Sequence, residues 1–84
     1  MYIVAVFSSR NETLYFANIL KNNGFYVSII NTPKEAGQAC GISVKFNYSI
    51  FNIAKEILYS NPFRTFVGFY SINLKNNRHQ YYKI

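Results

Sequence analysis

Thr32-Pro33-Lys34-Glu35-Ala36-Gly37-Gln38-Ala39-Cys40-Gly41-Ile42-Ser43-Val44-Lys45-Phe46 is the stretch on which the fold turns. Thr-Pro with Glu35 three residues after Thr32 signals a short helical turn, capped by Thr32 and with Pro33 at its first position. Gly37 and Gly41 limit that turn, so two strands follow one another with little between them. From Ile42 the pattern alternates: Ile42, Val44 and Phe46 point one way and Ser43, Lys45 and Asn47 the other, as in a strand with one wet face. The same stretch holds the only cysteine, Cys40, directly before a glycine. Small neighbours let another molecule approach the backbone. Gly41 can take dihedrals closed to other residues, which would set the thiol on a bent, accessible loop.

Upstream, Phe25 to Ile30 reads as a strand, with Phe25, Val27 and Ile29 alternating against Tyr26, Ser28 and Ile30. Before it, Ser9 and Glu12 form a capping box. Thr13, Phe16, Ala17 and Leu20 follow at helical spacing until Asn22-Asn23-Gly24 ends the run. Residues 2 to 7 are apolar, β-branched and aromatic, which predicts a strand buried on both faces at the centre of a sheet. Downstream, Ile50, Ile53, Ala54, Ile57 and Leu58 share one face of a second helix, started by Asn47 or Ser49 and stopped by Asn61-Pro62. Thr65 to Leu74 predicts a fourth strand. After the turn-prone Lys75-Asn76-Asn77, the segment His79 to Ile84 could pair back as a fifth, edge strand.

The order strand, helix, strand, strand, helix, strand is that of an α+β, ferredoxin-like split βαββαβ sandwich, with an antiparallel sheet and two helices on one face. Residues 1–84 are expected to form a single domain. The sheet face left uncovered would carry Tyr and Phe residues, an exposed aromatic surface of the kind that forms a homodimer.

Half of the 84 residues are apolar and 19% aromatic, which suits a packed core rather than disorder. One Cys excludes an internal disulfide, and no His/Cys cluster has metal-ligand spacing, so no metal and no cofactor are expected. A reducing, cytoplasmic setting follows as an expectation, with no membrane segment: the apolar run at residues 2–7 is too short to span and has no basic residues before it. Nine Lys and Arg against three acidic residues give a formal net charge of +6. The basic residues are dispersed, with no run and no aromatic nucleic-acid signature, which disfavours a nucleic-acid partner.

Catalytic constellations are absent. Three isolated Glu and no Asp offer no acid pair, no Gly-rich phosphate loop is present, and His79 stands alone, so the chain reads as a non-enzyme. Cys40 is the candidate. A thiolate is stabilised by nearby cations or by amides aimed at the sulfur. Lys34 and Lys45 flank it, and the Gly41-Ile42 backbone could form a nest. Accepting and passing on a persulfide needs no further catalytic residue, because the attacking and leaving groups come from partner proteins. The alternative is a binding or regulatory module that uses the aromatic sheet face, with Cys40 an inert small hydrophobe and Pro33 and Gly41 mere turn formers.

The chain resembles a small bacterial family of Se/S carrier protein-like domains. The likeness rests on the N-terminal strand with its Ser turn, the helix ending in Asn-Gly, a strand, and then the segment Pro33 to Phe46 with Pro33, Lys34, Cys40-Gly41-Ile42, Val44, Lys45 and Phe46. Two positions depart: the family usually has Arg where this chain has Lys34, and a Ser-rich run where it has Gly37-Gln38-Ala39. The Lys keeps the charge but loses the planar fork, and the hydroxyls that could reach the sulfur are gone. The resemblance implies carriage of sulfur or selenium as a Cys40-bound persulfide or selenide, between donor and acceptor proteins.

Overall fold

A computed structural model describes all of residues 1–84. β1 (Tyr2–Phe7) leads into α1 (Arg10–Asn22), β2 (Val27–Asn31), a 3-10 turn (Lys34–Ala36) and β3 (Ile42–Asn47). A second 3-10 turn (Tyr48–Ile50) then enters α2 (Phe51–Ser60), followed by β4 (Phe66–Lys75) and β5 (Arg78–Lys83). The sheet order is β2-β3-β1-β4-β5, and every pairing is antiparallel. This α+β arrangement of five strands and two helices is compatible with a ferredoxin-like sandwich. Neither helix is long and apolar enough to cross a membrane.

β1 occupies the centre because its residues tolerate no water: Ile3 through Phe7 are all 0% exposed. Ile3, Ala5 and Phe7 face one way, into a cluster with Phe16, Ala17 and Leu20 of α1, Ala54 and Leu58 of α2, and Val44, Phe46 and Phe69 of the sheet. Aromatic rings fill much of this layer. Phe7 lies 5.4 Å from Phe16, 5.2 Å from Phe63 and 5.4 Å from Phe66, and Phe69 lies 4.8 Å from Phe66 and 5.0 Å from Phe51, within the range where ring edges and faces attract. The expected helix stripes hold, except that Ile53 is exposed.

Val4 and Val6 face the other way and form a second cluster with Tyr70, against which Ile30, Ala36, Ala39, Val67, Ile72 and Tyr81 pack. This corrects the expectation of an uncovered face bearing Tyr and Phe. The segment 32–41 runs over the sheet as a strap, its 3-10 turn touching β5. Along this face the register sets Tyr2 beside Ile72 and Val4 beside Tyr70; no Phe lies among the residues of the cluster. Ser43, expected to be wet, is 0% exposed for the same reason. Only part of the face stays open, as a groove lined by residues of all five strands.

The C-terminal strand forms as expected, through a two-residue turn in which Asn76 (φ 53°) and Asn77 (φ 60°) both take left-handed dihedrals, as a type I′ hairpin demands. α1 ends at Asn23, whose amide side chain donates to the Ile19 carbonyl at 2.7 Å, and Gly24 (φ 86°) turns the chain away.

The capping box is only half as read. Ser9 Oγ accepts from the Glu12 amide at 3.2 Å, but the Glu12 side chain does not return to Ser9. It crosses to the start of β4 instead, where its carboxylate accepts from the Arg64 amide (2.9 Å), the Thr65 amide (2.8 Å) and the Thr65 hydroxyl (2.7 Å). Thr65 Oγ1 in turn accepts from the Ser9 amide at 3.2 Å. The Thr65 hydroxyl, helped by the two amides and the Arg64 charge and opposed by desolvation, holds the Glu12 carboxyl below its ordinary value of 4.5. A depressed folded-state pKa stabilises the native state above the ordinary value, and that contribution is lost as pH falls through the folded value. Glu12→Gln keeps an acceptor oxygen but loses the charge, so at neutral pH it should cost no more than about 1 kcal/mol, the net scale of one hydrogen bond. In urea titrations the gap from wild type should close as the pH is lowered below the usual carboxylate range; a gap unchanged with pH would show that the charge does not matter.

Candidate functional site

The strap leaves the sheet at Thr32 and rejoins it at Gly41, and its two ends are tied to each other and to β1. Thr32 N–H donates to the Gly41 carbonyl at 3.0 Å, and the Cys40 amide donates to the Phe7 carbonyl at 3.1 Å. The Thr32 hydroxyl donates to the Cys40 carbonyl and shares a 2.6 Å hydrogen bond with the buried Ser43 hydroxyl. Thr32 is thus a clasp rather than the helix cap expected of it. The 3-10 turn has Pro33 at its cap position, with no side-chain cap bond.

Cys40 is a free thiol, half-buried, at the rejoining end of this clasp. It belongs to neither core cluster. Its own amide is spent on Phe7.

The other residues singled out in the sequence are distributed unevenly around it. Pro33 is buried at the base of the strap, and Lys34 is exposed on the 3-10 turn, within the same ten-residue excursion as Cys40. Gly41 is exposed and adjoins Cys40, but the left-handed dihedral expected there is found at Gly37 (φ 70°), so Gly41 does not make the bend. Gly37 terminates the 3-10 turn, its amide bonded to the Lys34 carbonyl at 3.0 Å.

Lys45 is not brought to the thiol. It pairs with Val4 on β1, whereas Cys40 bonds to Phe7, three residues further along, or roughly 10 Å at the rise of a strand. Its ammonium leans the other way, 4.4 Å from the centre of the Tyr2 ring. The reason is the pleat: Lys45 projects onto the strap side of the sheet beyond the strap's edge, where Tyr2 offers a π face. The arrangement therefore joins Cys40, Gly41, Pro33 and Lys34 in one strap and leaves Lys45 in the neighbouring groove. No group of three His, Cys, Asp or Glu side chains is placed to hold a metal ion.

Sequence reading passed over Thr32 and Ser43 as parts of the site. The signal was present in two hydroxyl residues bracketing the loop, but their pairing depends on the β2–β3 register that sets Asn31 against Ile42 and Ile30 against Ser43. Thr32→Val should remove the clasp and leave the Ser43 hydroxyl buried without a partner, costing about 1–3 kcal/mol. Faster amide exchange at Cys40 and a faster reaction of its thiol with a disulfide reagent would accompany that loss; unchanged thiol kinetics would show that the strap is held by its apolar contacts alone.

Comparison with curated proteins and with solved structures finds no match. The profile of the family described as "Putative Se/S carrier protein-like" matches residues 2–66, which takes in β1, both helices, β2, the strap with Cys40 and β3. That match covers well over half of the chain, and with the clasped Cys40 strap at its centre the protein belongs to the Se/S carrier protein-like family.

Proposed function

We propose that this protein is a non-enzymatic carrier that holds sulfur or selenium on Cys40 between a donor and an acceptor protein. The observation that carries the reading is the placement of the chain's one thiol at the anchored end of the strap, outside both apolar clusters, in a member of a carrier-like family. An inert structural cysteine belongs among the apolar side chains; this one does not.

The chemistry is an exchange at sulfur. The Cys40 thiolate attacks the terminal sulfur of a donor persulfide, the donor's S–S bond breaks, and the donor cysteine leaves as a thiolate. Cys40 then carries the terminal sulfur in a new S–S bond. An acceptor nucleophile attacks that terminal atom in turn, and the Cys40 thiolate departs, so no outside oxidant or reductant enters. A terminal selenium would pass by the same sequence. Lys34, the one cation on the strap, supplies long-range attraction for an anionic group, and exposed Gly41 leaves room beside the sulfur for a partner's backbone. We also take the sheet order, with β1 between β3 and β4, to support a ferredoxin-like assignment of the fold.

Incubation with a cysteine desulfurase and cysteine, followed by intact mass under non-reducing conditions, tests the reading. Wild type should gain one sulfur atom that a reducing agent removes, and Cys40→Ser should gain none. Equal loading of both proteins, or of neither while iodoacetamide also fails to modify native Cys40, would overturn it.

A further inference from the structure

The part of the sheet face that the strap leaves open holds a groove of about 360 Å³, lined by Tyr2, Ile30, Asn31, Lys45, Ile72, His79 and Tyr81. Its size lies within the ~300–1,000 Å³ typical of small-molecule sites. Its walls have an order. Tyr2 on β1, Ile72 on β4 and Tyr81 on β5 stand in one row of the register, so the two tyrosines flank an isoleucine across two strand spacings, about 9–10 Å. Aromatic partners sit ~4.5–7 Å apart, so a flat ring resting above Ile72 is within reach of both tyrosines at once.

The polar groups are equally one-sided. Lys45 and His79 are the titratable nitrogen groups of the groove, Asn31 adds an amide, and no carboxylate lines it. The Lys45 ammonium, held 4.4 Å from the Tyr2 ring, stands at the rim of the ring site without a carboxylate among the groove's residues to neutralise it. A neutral ring alone would leave that charge unanswered, and a bare anion would leave the tyrosines and Ile72 unused.

We propose that this groove is a second site, separate from Cys40, that binds a flat aromatic ring bearing an anionic group, either the phosphate of a mononucleotide or the carboxylate of an aromatic acid. The ring lies over Ile72 between Tyr2 and Tyr81, and the anionic group meets Lys45 at the Tyr2 side. The site does not depend on the sulfur-carrier reading, since none of its lining residues belongs to the strap between Thr32 and Gly41.

The test is an NMR titration of the full chain with 5′-AMP, with 2-naphthoate and with neutral adenosine. At least one of the two anions should shift the amides of Tyr2, Lys45, His79 and Tyr81 together and bind about tenfold more tightly than adenosine, the scale of one charge-assisted hydrogen bond. Binding of AMP alone assigns the phosphate source, and binding of naphthoate alone the carboxylate source. Lys45→Met should lower the affinity for the bound anion about tenfold and leave adenosine unchanged. Tyr81→Leu, with exposed Tyr2→Leu as the second variant should the first unfold, should weaken all three. The proposal is overturned if neither anion shifts these amides at millimolar concentration, if shifts scatter over every basic patch, or if Lys45→Met leaves the anion's affinity unchanged. Cys40→Ser should bind as wild type does, so failure of sulfur loading and failure of groove binding register separately.

Discussion

A central strand whose side chains from Ile3 to Phe7 are all buried must be covered from both sides, and that requirement organises the molecule. Ile3, Ala5 and Phe7 are met by two helices and a layer of phenylalanines. Val4 and Val6 have no third helix to meet them. The connection between β2 and β3 supplies the missing cover by lying down across the sheet with Ala36 and Ala39 inward, and Tyr81 of β5 completes it. Side chains as small as alanine suffice because the backbone itself comes close. The strap is therefore a structural part of the core and, by the same placement, the bearer of the thiol.

Two polar knots hold the connections that the apolar layers cannot position. At one end of the sheet Glu12, Ser9 and Thr65 tie the start of α1 to the start of β4. On the strap side Thr32 ties both ends of the excursion together and satisfies buried Ser43. Each knot uses a threonine hydroxyl as donor and acceptor at once, which lets one small side chain satisfy several groups where a strand meets a loop. Hydrophobic burial chooses the layers; these bonds choose where the chain enters and leaves them.

What could be read in the sequence was whatever depends on neighbours a few residues apart. The apolar run of β1, the stripes of α1 and α2, the alternation of β3 and the hairpin signal at Asn76-Asn77 are local patterns, and each produced its element. What escaped depended on partners far along the chain. Glu12 looked like half of a box because Ser9 was three residues away, yet its strongest partner is Thr65, 53 residues on. Ser43 looked wet because its strand alternates, and it is dry because a loop lies on it. Cys40 and Gly41 were visible as a pair, but the sharp dihedral belongs to Gly37, and Lys45, close in number, is carried off by the pleat toward Tyr2. Closeness in number is a poor guide to contact when five residues span nearly the whole length of β3.

The clasp between Thr32 and Gly41 has a mechanical consequence. A segment built into a rigid frame at both ends behaves like a beam clamped at its supports, and its ends keep their place. Lys34, Glu35, Gly37 and Gln38 occupy the span and are exposed. Cys40 sits at a support, bonded to the central strand of the sheet. Ala36 and Ala39 pin the span to the sheet between those supports, so what can flex is its exposed outer side, and the sulfur keeps its place.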